Sequence, residues 1–269
     1  MELSVKNIAG KVAVITGAGS GIGQALARAL AKRGTNLALV DINDSTLAAI
    51  TAELSSTSIT VSSHLVDVSN RAAMAQLPEQ IIAVHGAVHI LINNAGVSVG
   101  AMFADHSIDD AEWLLDINVK GVIYACKFFL PYLQQVPQAH IVNLSSMFGF
   151  FSMPGQAMYS ASKAAIRSFS EALWTELANT SIRVTTVHPG TIRSNVISSS
   201  RMLDDAMQQK AAQLQEKFGM NTDKAAEKII RAIEHNKLRV LVGADAYIGE
   251  FLKRLLPVSF QRLLGLFFR

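Results

Sequence analysis

Seven short runs of β-branched and aliphatic residues recur along the chain: "KVAVIT", "NLALVD", "SSHLVDV", "HILINN", "AHIVNLSS", "IRVTTVHP" and "LRVLVG". Between them lie segments with helical spacing, among them "GIGQALARALAKRG", "AAMAQLPEQIIAVHG" and "AAIRSFSEALWTELANT". A strand that is apolar at nearly every position cannot leave one face in water, so such runs belong in a parallel sheet with helices on both faces. The pattern therefore predicts an α/β, doubly wound sheet of about seven parallel strands with helices on both faces. No proline-rich or serine-rich linker, repeat or shift in composition divides the 269 residues, so residues 1–269 are expected to form one domain. Long stretches without a strand run come only late, at about 191–235 and 244–269. Ligands of parallel sheets bind beyond the strand C-termini, so residues 191–220 are expected to cover a substrate.

A formal charge of +3, with no block of Lys or Arg, argues against a nucleic-acid partner. Cys126 is the sole cysteine, so no intramolecular disulfide can form, and its setting in "YACKFF" reads as helix packing rather than a nucleophile. The start, "MELSVKNIAGK", lacks the basic-then-apolar order of a signal peptide, and no apolar run reaches the ~20 residues of a bilayer span. A cytoplasmic protein, at most peripheral to a membrane, is the expectation.

The first strand run leads straight into "TGAGSGIGQALARAL". Gly17, Gly21 and Gly23 allow a tight turn, a close approach to a pyrophosphate, and close packing of the following helix, whose N-terminus offers N–H donors. The spacing is T-G-x-x-x-G-x-G, a loose match to the general dinucleotide fingerprint G-x-G-x-x-G. Asp41 ends the second run about 20 residues on, where a carboxylate can accept hydrogen bonds from an adenosine ribose and repel a 2′-phosphate. No Arg or Lys lies among Ala18, Gly19, Ser20, Ile22 and Ile42 to neutralise that phosphate, which favours NAD over NADP. The alternative is that Asp41 only caps the turn through "DINDS". His85 and His89 in "HGAVH" have the i, i+4 spacing of helical metal ligands, but Gly86 between them and the strand beginning near His89 argue against a shared helix face, so no metal is expected.

Together these motifs resemble the short-chain dehydrogenase/reductase family over nearly the whole chain, a resemblance that implies a Rossmann-like sheet of about seven parallel strands. The cofactor loop is joined by "DV" at Asp67–Val68, "NNAG" at 93–96, Asn118 in "INVKG", the serines of "VNLSS", "YSASK" at 159–163 and "HPG" at 188–190, in family order and spacing. The resemblance implies cofactor contacts at Gly17, Ser20, Gly21, Ile22, Gly23, Asp41, Asp67, Val68, Asn94, Ala95, Gly96, Tyr159, Lys163, Pro189, Gly190 and Thr191. It implies a catalytic set of Asn118, Ser146, Tyr159 and Lys163, with Ser146 preferred over Ser145 because it stands thirteen residues before the tyrosine. Tyr159 would move the proton, Lys163 would support its ionisation and hold the nicotinamide ribose, Ser146 would bond the substrate oxygen, and Asn118 would position a relay water. The family is usually dimeric or tetrameric, so a homodimer or homotetramer is expected.

Around Ser146, Met147, Phe148, Phe150, Phe151 and Met153 suggest apolar walls for an alcohol or ketone, with Val97, Met102 and Phe103 opposite. Substrate contacts are therefore assigned to Ser146, Met147, Phe148, Met153 and Tyr159. The reading is an NAD-dependent oxidoreductase acting on a hydrophobic secondary alcohol or ketone. The alternatives are an NADPH-dependent 3-oxoacyl reductase acting on a carrier-bound substrate and a non-catalytic dinucleotide sensor. The tail, residues 245–269, repeats apolar pairs at Tyr247/Ile248, Phe251/Leu252 and Leu255/Leu256 opposite Glu250, Lys253 and Arg254. It continues as Leu263, Leu264, Leu266, Phe267 and Phe268 between Arg262 and Arg269. Such a segment suits a pocket cap, a subunit interface or an anionic membrane surface.

Overall fold

The computed structural model describes residues 7–194, 200–202 and 205–267. Parts of the expected covering stretch (195–199 and 203–204), and Phe268 and Arg269 of the tail, lie outside the described residues. The first half of the chain runs β1 (Val12–Thr16), α1 (Gly21–Ala31), β2 (Asn36–Asp41), α2 (Asp44–Ser55), β3 (Val61–Leu65), α3 (Arg71–His85), β4 (Ile90–Asn93), β5 (Val99–Gly100), α4 (Ile108–Leu115) and α5 (Val122–Leu133). It continues as β6 (Ala139–Leu144), α6 (Ala157–Glu176), β7 (Ile182–Pro189), β8 (Arg201–Met202), α7 (Asp205–Phe218), α8 (Thr222–Glu234), β9 (Arg239–Val242), α9 (Ala244–Leu255) and α10 (Ser259–Phe267).

All seven apolar runs are strands of one sheet, in the order β3-β2-β1-β4-β6-β7-β9 and parallel throughout. The alternation of side chains along each strand feeds two cores. Ala13 and Ile15 of β1 point into a layer with α1, α2 and α8, whereas Val14 points into a layer with α3, α5 and α6. Leu26, Leu30, Met74, Leu77 and Phe129 are fully buried there, each contributing roughly 1.5–3 kcal/mol relative to exposure. Among the described residues no helix is long and apolar enough to cross a membrane.

The chain winds outward from β1 to β3, then returns to the other side of β1 with β4. The strand order reverses there, so the connections leaving the C-terminal ends of β1 and β4 run to opposite sides of the sheet, the place where ligands of such sheets bind. The loops above those ends are tied together. The two-residue strands β5 and β8 pair in parallel and join the segment after β4 to the late insertion, and Ala101 N–H donates to the Gly155 carbonyl. Asn118 stands in a π-helical turn, Asp116–Gly121, between α4 and α5. Such wide turns are uncommon and re-aim a side chain that a regular helix would direct elsewhere.

Candidate active site

The glycine loop after β1 is packed against the residues that follow β4. Gly17 has φ +66°, and a Cβ there would stand 2.9 Å from Ala95 Cα. A Cβ on Gly23 would run into the Gly17 carbonyl oxygen and lie 2.6 Å from Asn94 Nδ2. Asn94 Nδ2 donates to the carbonyls of Thr16 and Gly17, 3.0 Å each, while Thr16 Oγ1 accepts the N–H groups of Asn94 (3.0 Å) and Ala95 (3.1 Å). The Asn94 amide thus braces the loop. Thr16, absent from the sequence-predicted set, is the hub of that brace; its only local signal was a hydroxyl residue at the strand end before the first glycine.

Ser20 makes no side-chain bond as N-cap of α1, so the first-turn N–H groups keep their capacity for an anion. Asp41 accepts from Gly19 N–H (2.8 Å) through one oxygen and from Asn43 N–H (2.9 Å) through the other. The same carboxylate therefore ties down the glycine loop and starts the turn into α2, whose N-cap is Asn43. Asp67 accepts the N–H and hydroxyl of Ser69, and Val68 is buried where a Cβ on Gly121 would touch it. A glycine cradle that side chains would fill, an open helix N-terminus and a carboxylate at the end of β2 fit a dinucleotide.

Four further residues converge at the C-termini of β4 and β6. Ser146 follows β6, Tyr159 and Lys163 lie one turn apart on α6, and Asn118 reaches in from the π turn. Burial pushes the Tyr159 phenol upward, and the neighbouring Ser146 hydroxyl pulls it part of the way back. Lys163 Nζ donates to the Leu144 carbonyl at 3.0 Å and stands 5.6 Å from the Tyr159 ring centre. Its burial pulls the ammonium from 10.5 to about 8. Asn118 accepts from Val97 N–H (2.8 Å) and donates to the Val97 carbonyl (2.9 Å) and Ser162 Oγ (3.1 Å). A Cβ on Gly96 would be 3.1 Å from Asn118 Oδ1 and 3.3 Å from Lys163 Nζ, so the bare backbone there keeps the approach open.

The two serines point differently. Ser145 Oγ is buried and donates to the Lys163 carbonyl at 2.7 Å, clamping α6 to β6, whereas Ser146 Oγ faces Tyr159 and accepts from Phe148 N–H. His188 holds the backbone beneath Ser146: its Nδ1 lies 3.1 Å from the Ser146 carbonyl, which can only accept, so Nδ1 carries the proton. Burial pushes His188 down to about 3, leaving the ring neutral. Asp245 at the start of α9 accepts Thr191 N–H at 2.6 Å, and its carboxylate fills the space a Gly190 side chain would need. Neither long-range tie had a sequence signature.

Phe148 is edge-on to Tyr159 (6.3 Å between centres), and Phe151 is edge-on to Phe148 (5.7 Å) and to Phe260 of α10 (5.3 Å). Phe150 turns away from Tyr159 to stack on His188 at 4.3 Å, between Arg167 and Arg239. Met147 and Met153 are partly exposed beside Ser146 and Tyr159 in sequence, while Met102 and Phe103 are largely exposed. Ser194 lies against Gly21, and Gln215 of α7 donates to the carbonyls of Ile192 and Ser194, holding the start of the late insertion over the glycine loop. His85 Nε2 meets Ser62 Oγ, and His89 Nδ1 accepts Val12 N–H, so the two histidines are engaged in separate places.

A family model, short chain dehydrogenase, matches residues 11–204. The chain belongs to the short-chain dehydrogenase/reductase family and is an oxidoreductase of that type. It is 36% identical over 260 residues to a Mycobacterium tuberculosis protein named as an oxidoreductase, SadH, covering 95% of this chain and 94% of that protein. An uncharacterized oxidoreductase of Staphylococcus epidermidis is 35% identical over 182 residues, 68% of this chain and 78% of its own length. Among solved structures, a Burkholderia phymatum short-chain dehydrogenase/reductase in complex with NAD superimposes with a TM-score of 0.88 at 29% identity, covering 93% of this chain and 95% of its own. An alcohol dehydrogenase of the archaeon Thermococcus sibiricus, complexed with 5-hydroxy-NADP, gives 0.76 at 25% identity, covering 87% and 96%.

Proposed function

We propose that this protein is an NAD-dependent dehydrogenase that interconverts a hydrophobic secondary alcohol and its ketone. The observation that carries the reading is the convergence of Ser146, Tyr159, Lys163 and Asn118 at the C-terminal ends of β4 and β6, with Lys163 Nζ 5.6 Å from the Tyr159 ring centre. The cofactor supplies the hydride acceptor and, when oxidised, a positive charge. Ser146 Oγ holds the substrate oxygen and Tyr159 Oη accepts its proton in oxidation, returning it in reduction. A phenol at the ordinary ~10 is a poor base near neutral pH, and burial raises Tyr159 further, so its anion needs nearby positive charge. With Lys163 near 8, its ammonium is largely intact at pH 7, close enough to supply that charge and, in the bound state, to hold the nicotinamide ribose. Phe148, Met147 and Met153 favour an apolar substrate, which residues 191–220 would cover.

Asp41 supports NAD over NADP, because its carboxylate borders the glycine loop with no cation among the loop residues. The NAD-bound Burkholderia relative is consistent with that reading. The test is initial rates of NADH and NADPH formation from sterols, cyclic alcohols and aliphatic secondary alcohols, with the wild type and Asp41→Ser. The wild type is expected to prefer NAD, and Asp41→Ser to narrow the kcat/KM ratio about tenfold or more, the loss of roughly one charge-assisted contact. A wild-type preference for NADP overturns the cofactor assignment.

A further inference from the structure

The two faces of the C-terminal helices have different surroundings. On one side α10 is docked: Phe260 is buried against Phe151, and Gln261 Nε2 donates to the Ser152 carbonyl at 2.9 Å. A Cβ on Gly249 of α9 would collide with the same Phe151 ring. Both helices therefore rest on the segment that follows Ser146. Away from that contact, Tyr247, Ile248, Phe251 and Leu255 form one exposed stripe of α9, each more than half exposed. Val258 extends it into the turn, and Leu263 and Leu266 continue it on α10.

Charge selects among the surfaces that could cover this stripe. Residues 251–269 contain Lys253, Arg254, Arg262 and Arg269 and no Asp or Glu. Glu250, the nearest acid, is mostly buried and already paired with Arg239 and Arg254, and Arg254 remains 72% exposed. A second copy of the chain in a two-fold contact would set this cationic stripe against itself. An anionic bilayer meets both requirements, taking the aromatic and leucine side chains into its interface and pairing the cations with headgroups. We propose that α9 and α10 lie on the surface of an anionic lipid bilayer, with Phe251, Leu255, Val258 and Leu266 in the interface. The edge-to-face series Phe260–Phe151–Phe148–Tyr159 then connects the docked side of that anchor to the proposed catalytic tyrosine.

The experiment is co-sedimentation of the full chain with phosphatidylcholine vesicles, with and without roughly one-third phosphatidylglycerol, at low salt and at about 1 M salt. Binding is expected to the anionic vesicles alone and to weaken at high salt. Phe251→Glu with Leu255→Glu is expected to lower partitioning at least about tenfold without changing Tm, because both side chains are exposed. Lys253→Gln with Arg262→Gln leaves the apolar stripe intact and is expected to lower partitioning roughly thirtyfold, about fivefold or more per cation. Absence of wild-type binding to anionic vesicles, equal binding to neutral ones, or wild-type partitioning by both variants each overturns the proposal. A wild-type dimer that the glutamate variant splits into monomers, without vesicle binding, overturns it in favour of a second copy of the chain.

Discussion

Replacing Lys163 with Met isolates the electrostatic cost of holding an ammonium at the site. Burial moves this lysine from 10.5 to about 8 in the folded, ligand-free protein. Between those values the unfolded chain binds more protons than the folded one, so stability rises with pH across the window. A shift of about 2.5 units corresponds to about 3 kcal/mol, the order of the penalty present below pH 8 and relieved by about pH 10.5. Lys163→Met removes that titration and keeps much of the stem's volume. Cys126, pushed up to about 12, and the raised Tyr159 are present in both proteins, so they largely cancel in the difference. Urea unfolding at fixed protein concentration, at half-unit steps from about pH 7 to about pH 10.5, is the assay. The stability of the wild type relative to Lys163→Met is expected to rise by about 3 kcal/mol over that range. Parallel pH dependences would show that the ammonium bears no such penalty and refute the argument.

Gly23→Ala drives a methyl group into the Gly17 carbonyl and Asn94 amide, so it is expected to cost about 1–3 kcal/mol of stability and at least about tenfold in NADH affinity. Fluorescence titration with NADH checks this, and wild-type affinity would contradict the packing role given to Gly23. The neighbouring serines are expected to separate under substitution. Ser145→Ala removes the buried bond to the Lys163 carbonyl and costs about 1 kcal/mol or more of stability. Ser146→Ala is expected to lower kcat on the order of a hundredfold with little change in urea midpoint. Equal losses of kcat in the two variants would contradict their division of labour.

The inner strands were legible in the sequence because a parallel strand covered on both faces is apolar at almost every position, whereas the edge strand β3 carries Ser62, Ser63 and His64 and is only partly buried. The order of the strands was not legible, since periodicity carries no information about which run lies beside which. The glycine loop announced itself because close approach of backbone to backbone needs residues without side chains, as Gly17 and Gly23 show. The bonds that hold the site together were silent. Thr16 to Asn94, His188 to Ser146 and Asp245 to Thr191 each join residues more than forty positions apart, by hydroxyl, imidazole or carboxylate groups that could have served anywhere. The π turn at Asn118 and the short β5–β8 pair depend on tertiary packing rather than local propensity. The apolar tail was visible, but only the docking of Phe260 and Gln261 distinguishes its covered side from its open one.

The most direct test of the proposed chemistry is Tyr159→Phe, which removes one hydroxyl and keeps the ring that packs edge-on to Phe148. NADH formation from the best alcohol of the panel and NAD affinity by titration would be measured on the same preparation. Turnover is expected to fall by about a thousandfold or more while the NAD dissociation constant changes less than about threefold. Turnover near the wild-type rate in Tyr159→Phe would contradict the assignment of this phenol as the proton-transfer group.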